Sequence, residues 1–278
     1  MMTTLSSTGE AKAQVAPGRA TRARYLMASE WTKTASLRST YFTLAAAAIL
    51  TVLVGVLVSS ADVSDWNQMP ETQRAHLDPL QVSMKGLALS GLVVAMLGVM
   101  AVTSEYTTGL IRTTLAAVPH RRALLAAKAA VIGAITLVFG EATAVVAFLL
   151  TQARLHARNA GVSITGHNVL PTVLAAGFYL TAIALVGVGV GAMIRHTAGA
   201  LGVMVALLFV LPQLVYVLPS PSGRWFDEAM PSNAGLTITS LLHSPGPALS
   251  PDQAIALLLG YVAAALLGGL YSIVRRDA

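Results

Sequence analysis

Long apolar runs alternate with short polar stretches along this chain, and the period of that alternation is that of a bilayer. A membrane-crossing helix needs about 20 mostly apolar residues. Six stretches meet that length, at residues 41–60, 84–103, 129–151, 171–194, 198–218 and 251–274. Their ends carry physical markers. Pro171 suits a first helical turn, where its missing N–H costs nothing. Ser250-Pro251-Asp252-Gln253 combines capping-box spacing with proline at the first helical position, which predicts the start of the sixth span. Pro212 lies inside the fifth span near its end, and is expected to kink or unwind the last turns. The pattern predicts an all-α integral membrane protein of six transmembrane helices.

The polar stretches divide unequally. Residues 1–20 are small, polar and punctuated by proline and glycine, which predicts a disordered tail. Residues 21–40 differ. Ala23, Met27, Trp31 and Ala35 fall on one stripe at i+4 spacing, while Arg22, Arg24, Lys33 and Arg38 project elsewhere. This pattern predicts an amphipathic helix lying at the membrane interface, with Tyr25 and Trp31 at headgroup depth and Glu30, Lys33 and Arg38 as its charged positions. The alternative is a solvated basic lead-in to the first span. No apolar core of a cleavable signal occurs in residues 1–24, so the first span is expected to do the targeting.

The stretch from Ser104 to Lys128, SEYTTGLIRTTLAAVPHRRALLAAK, separates the second and third spans. Ile111, Leu115 and Val118 repeat at helical spacing within it, and Pro119 then stops a helix by removing a hydrogen bond and crowding the preceding turn. Outside the membrane, residues 61–83 and 219–250 contain Trp66, Trp225 and several prolines, and are expected to form short turns or helices over one mouth of the bundle.

Composition agrees with a bilayer environment: 55% of the 278 residues are hydrophobic, 11% are charged and mean hydropathy is +0.69. A soluble domain of this length has too much surface to carry so little charge. The 18 Lys and Arg residues divide 13 to 5 between the two sides when the N-terminus is placed inside, which leaves the inner segments at +9 and the outer at −2. By the positive-inside rule both termini are then cytoplasmic and residues 104–128 form an inner loop. The same asymmetry accounts for the net charge of +6 without nucleic acid, for which no reading module is present.

Several chemistries are missing. With no cysteine there are no disulfides and no thiolate sites. None of the four lysines sits in a GxxxxGK[ST] loop, so P-loop ATP hydrolysis would have to come from another chain. HExxH and GxSxG are absent, and His76, His120, His156, His167, His196 and His243 are scattered over different loops, so no metal and no cofactor is expected. Glu141 is the one acid deep in a span, 13 residues beyond Lys128. Two readings stand for it: a functional intramembrane acid, or a neutral or hydrogen-bonded side chain packed against Tyr179, Thr181 or another polar neighbour. Gly187, Gly189, Gly191, Gly199 and Gly202, with Gly260, Ala264 and Gly268 later, supply small faces suited either to a subunit interface or to packing within the chain.

With these features in place the chain resembles the ABC-2 type permeases, the membrane subunits of ATP-binding-cassette exporters. The likeness is carried by EYTTGLIRTTLAAVPHRR, where Glu105, Gly109, Arg112, Leu115, Pro119 and Arg122 match the family's loop after span two. SEWTKTASLRST at 29–40 is similar to its pre-membrane helix, and RHTAGA, PSNAG and RRDA are similar to later segments. Leu110 departs from the pattern, where many relatives carry threonine. The resemblance implies six helices per subunit with both termini inside. It also implies a homo- or heterodimer of permeases in the cell membrane, served by separate ABC ATPase subunits. The loop at 104–128 would hold the coupling helix that docks on the ATPase, with Glu105 near its start and positive end. Arg121 and Arg122 would contact the ATPase or anionic lipid, or serve only as positive-inside anchors. Two other functions fit the residues: a proton-coupled secondary transporter using Glu141, and a membrane scaffold or immunity protein without a transport cycle. The substrate does not follow from the resemblance.

Overall fold

The computed structural model describes residues 19–110, 121–216, 226–242 and 249–275. All regular structure among them is helical: α1 Arg19–Ser36, α2 Arg38–Ser64, α3 Glu71–Ala75, α4 Pro79–Met84, α5 Leu87–Thr107, α6 Arg121–Leu155, α7 Val169–Ile194, α8 Thr197–Val205, α9 Leu211–Tyr216, α10 Pro231–Ile238 and α11 Pro251–Arg275. Among the described residues, six helical stretches are long and apolar enough to cross a membrane: α2, α5, α6, α7, the continuous run Thr197–Val215 and α11. This is a six-helix, multi-pass membrane protein. Residues 1–18 of the expected tail, the helix expected around Ile111, Leu115 and Val118, and residues 217–218 of the fifth span lie outside the described residues, while Arg19 and Ala20, expected in the tail, open α1.

The solvent is visible in which side chains face out. On α2 the buried stripe is Thr40, Leu44, Ala47, Thr51, Gly55 and Ser59, mostly small or hydroxylic, whereas Phe42, Ile49, Leu53 and Leu57 are exposed. A water-soluble helix shows the reverse. Helices in lipid gain nothing by hiding large apolar groups from hydrocarbon, so small and polar residues take the contacts instead. Ser90 of α5 shows how: its hydroxyl donates to Ala47 O at 2.8 Å and lies 2.6 Å from Thr51 Oγ1.

α7 is the axis of the bundle. In its most apolar window 78% of residues are buried, against 22–56% for the other spans, and α5, α6 and α11 all pack on it. Its sequence ALVGVGVGA permits backbone-to-backbone approach. A Cβ on Gly98 of α5 would collide with Ala184 O, and one on Gly187 would stand 2.5 Å from Ala95 O. Gly187, Gly189, Gly191 and Gly268 are thus used in packing within the chain, while Gly202 and Gly260 have no other atom within Cβ contact distance.

Helix ends follow local chemistry. The expected capping box closes α11: Ser250 N donates to Gln253 Oε1 and Gln253 N to Ser250 Oγ, at 3.0 and 3.3 Å. In the fifth span, residues Ala206–Val210 wind as a π-helical turn directly before Pro212. Proline cannot donate to Leu208 O four residues back, and a wider turn absorbs the mismatch. Leu37 adopts an extended backbone that separates α1 from α2. The pre-membrane helix therefore ends at Ser36, and Arg38 belongs to the first turn of the first span, not to the helix before it. The third span extends furthest past expectation, with 35 residues from Arg121 to Leu155 in one helix. That is about 52 Å at ~1.5 Å per residue, well beyond a hydrocarbon core of about 30 Å.

Candidate functional site

Four charged side chains converge where α1, α5 and α6 meet. Glu30 and Lys33 stand three residues apart on α1, Glu105 is in the last turn of α5, and Lys128 is in the second turn of α6. Lys128 Nζ donates to Glu30 Oε2 at 2.7 Å and to Glu105 Oε1 at 2.6 Å. Lys33 Nζ donates to Glu30 Oε1 at 2.8 Å and to Glu105 Oε1 at 3.1 Å. Glu30, Glu105 and Lys128 are 3%, 7% and 5% exposed, so this is a buried network and not a surface decoration. Two acids against two bases leave it neutral, the condition under which buried charge is tolerated.

The local sequence explains the convergence. Glu30 cannot share a face with Trp31, which is 52% exposed, so α1 turns its carboxylate to the bundle and Tyr25, Met27 and Trp31 outward. The loop-side end of α5 is set by Gly109, whose φ of 71° is the left-handed terminator of a helix. Glu105 consequently sits at the C-terminal, negative end of α5. The expectation that it opens a coupling helix at that helix's positive end is corrected. Its charge is balanced by two ammonium groups on Oε1, while Oε2 is buried without a hydrogen-bond partner. Lys33 is half-exposed. Burial pulls its ammonium down, but the hydrogen bond to Glu30 and the fields of Glu105 and Glu30 outweigh this and leave it above the usual lysine value.

The same end of the bundle holds a second polar contact set. Arg195 closes α7 in the left-handed region at φ 60°, a conformation unfavourable for a side chain with a Cβ. It is held there by its Nη2 bond to Ser272 O of α11 at 2.8 Å and by stacking over the Tyr106 ring, 5.2 Å to the centroid. Thr197 Oγ1 donates to Thr103 Oγ1 at 2.9 Å, joining α8 to α5.

No protein-family model matches this chain, and no curated protein does. What the site does must be argued from its own geometry.

Of the residues singled out from sequence, Glu30, Lys33 and Glu105 come together, and Lys128 joins them. Trp31 is on the outward side of α1 and Arg122 is exposed at the start of α6. Arg112, Leu115 and Pro119 lie outside the described residues. Glu141 is remote from the cluster, half-buried on α6 against Gly177 of α7. Its expected neighbour Tyr179 points elsewhere, packing on Gly91 of α5 and near Gly235 of α10. In sequence, Lys128 is the last residue of the stretch between the second and third spans. The available signal was its setting, AAKAAV, a single lysine with no polar neighbour on an apolar helix. Arg195, the first residue of RHTAGA, and Asp78 carry no local signal of the contacts they make between helices.

Chemically the cluster is two carboxylates held by two ammonium groups, and no group of three or more His, Asp or Glu side chains among the described residues could hold a metal. Its contacts are mechanical. Glu105 and Lys128 are 23 residues apart, so their ion pair closes the base of the intervening loop. Glu30 and Lys33 then fasten that base to α1.

Proposed function

We propose that the chain is the permease subunit of an ABC-2 type exporter, lying in the cell membrane with both termini and the 104–128 loop on the cytoplasmic side. Two permease subunits, identical or paired with a relative, form the export pathway, and separate ABC ATPase subunits drive it. The carrying observation is the Glu105–Lys128 pair at the base of the loop, tied to α1 through Glu30 and Lys33. The resemblance of EYTTGLIRTTLAAVPHRR to the family's coupling segment supports the same reading.

The mechanism follows from how the loop is mounted. A partner that pulls on the loop acts on the C-terminal end of α5 and the N-terminal end of α6 together, because the ion pair prevents them from separating. α1 moves with them as a collar. α7, packed on both α5 and α6, receives the displacement and passes it to α11. Arg112, Leu115, Pro119 and Arg122 are assigned to the docking surface and Gly109 to the hinge from α5 into the loop. α1 lies along the inner membrane surface with Tyr25 and Trp31 among the headgroups.

The test is co-expression with a Walker-A ATPase encoded next to this chain, followed by affinity purification and ATPase assay in vesicles. The expected result is a complex whose ATP hydrolysis requires the permease, and which dissociates on Arg112→Glu while the permease stays monodisperse. Transport driven by a pH gradient without ATP would refute the assignment in favour of secondary transport. A well-folded permease that captures no ATPase and moves no solute would favour the scaffold.

A further inference from the structure

Glu141 sits in the middle of α6, 13 residues from Lys128, about 20 Å along the axis at ~1.5 Å per residue. It makes no ion pair, and its Oε2 is buried without a hydrogen-bond partner. The carboxyl lies over Gly177 of α7 in the space a side chain there would fill: a Cβ at Gly177 would come within 2.6 Å of Glu141 Cδ and 2.8 Å of Oε1. One residue earlier, Gly140 brings α6 to backbone contact with the same glycine. On the other side, one turn back on α6, Leu137 and Val138 are exposed on the face that meets lipid. The carboxyl is therefore at the border between a closed helix seam and hydrocarbon.

Among the described residues, no cation pairs with it. α7 has Tyr179 as its single titratable side chain, directed to α5 and α10. On α2, Arg38 and Asp62 are in the terminal turns and Tyr41 is bonded to Ala35 O; α4 carries charge only at its caps, where Asp78 is held by backbone amides and Lys85 follows the last turn. On α5, Glu105 and Tyr106 are at the α1 end, where Glu30 and Lys33 of α1 also lie. On α11, Asp252 and Arg275 are terminal, Tyr261 donates to Ala229 O and Tyr271 stacks under Arg275. On α6 itself, Arg154 is bonded to Ser60 and Lys128 to the cluster. An ionised carboxylate in that setting loses hydration and gains no partner, and a group so placed neutralises instead.

We propose that Glu141 is an intramembrane proton-binding site: it holds a proton while the α6–α7 seam is closed and releases it only when the seam opens to water. The seam's packing is thereby linked to one protonation event, independently of any ATPase. A neutral acid facing lipid is also a modification site for a hydrophobic carbodiimide. The acid proton passes to a carbodiimide nitrogen while the carboxyl oxygen bonds to the central carbon. The resulting O-acylisourea rearranges by acyl transfer to nitrogen, giving an N-acylurea with no leaving group and a mass gain of one intact reagent.

The experiment uses the full chain in phosphatidylcholine vesicles, treated with dicyclohexylcarbodiimide or with a water-soluble carbodiimide across neutral and alkaline pH, and read by peptide mass spectrometry. The expected result is an adduct at Glu141 with the hydrophobic reagent alone, diminishing as pH rises and lost in Glu141→Gln. Hydrogen exchange supplies a second readout. Peptides across residues 137–145 and 174–181 are expected to open at alkaline pH in the wild type relative to Glu141→Gln. Absence of the adduct together with identical exchange in the two proteins overturns the proposal. So does equal labelling by the water-soluble reagent, which would mean a hydrated carboxylate.

Discussion

Lys128 and Lys33 share the same two carboxylates, yet their environments give them different weights. Lys128 is buried, so Lys128→Ala leaves two buried acids with one half-exposed base. Losing one partner of a buried pair costs about 3–5 kcal/mol. Lys33→Ala leaves Lys128 in place and removes an ammonium whose side chain is 46% exposed, so the loss is about 1 kcal/mol or less. Unfolding in mixed micelles should therefore rank Lys128→Ala far below Lys33→Ala, and equal losses would contradict the buried network. The pH dependence has a definite sign. Lys33 is raised above its ordinary 10.5 in the fold, so its contribution is fully present below that value and is lost as pH climbs through the folded value. The melting difference between wild type and Lys33→Ala is expected to be constant from neutral to mildly alkaline pH and to shrink above about 10.5. These contacts were invisible in sequence for a physical reason. Glu30 and Lys128 are 98 residues apart, and their meeting depends on the rotation of three helices about their axes, which apolar periodicity does not specify when all faces are apolar.

At the scale of elements, what could be read from sequence were features carried by local chemistry. Six windows of bilayer length, the capping box at Ser250 and Gln253, and the disturbance before Pro212 each depend on residues within one or two turns. The partner of each glycine does not. Gly187 and Gly202 look alike in sequence, but one faces the backbone of α5 and the other faces open space. Gly187→Leu and Gly98→Leu are expected to push α5 from α7, with overpacking costs of about 1–3 kcal/mol or more, whereas Gly202→Leu is expected to leave stability nearly unchanged. Thermal unfolding of the three purified variants makes the comparison. Similar losses for all three would show that helix propensity, not close packing, governs these positions.

Across the whole molecule, the charged side chains that make ion pairs or hydrogen bonds gather at the two ends of the bundle. At the end opposite α1, the Asp78 carboxylate accepts four backbone N–H groups: Leu80 and Gln81 on Oδ1, and Leu241 and Leu242 on Oδ2, at 2.7–3.2 Å. Gln152 of α6 donates to Pro79 O and Ser83 Oγ and accepts from Val162 N. Asp78→Ala would strip the acceptor from the buried Leu80 amide, at about 1–3 kcal/mol if it is left unsatisfied, and from the less buried amides of Gln81, Leu241 and Leu242 at a smaller cost each. Hydrogen exchange should quicken at Leu241 and Leu242 and leave the Glu105–Lys128 end unchanged. Uniform acceleration at both ends would mean that the bundle unfolds as one unit and that Asp78 is not a local fastening.

The ion cluster also dictates an order of assembly. Glu30 leaves the ribosome 98 residues before Lys128, and Glu105 leaves 23 residues before it. Through the insertion of the first two spans, Lys33 is the only one of the two bases available to either acid, and α1 has no buried cation to dock against. When the third span arrives, Lys128 satisfies both carboxylates at once and draws α1 onto the bundle. The folding of the pre-membrane helix is thus timed by a residue in the third span, and a chain truncated before Lys128 is expected to leave α1 undocked, with Glu30 accessible to reagents in water.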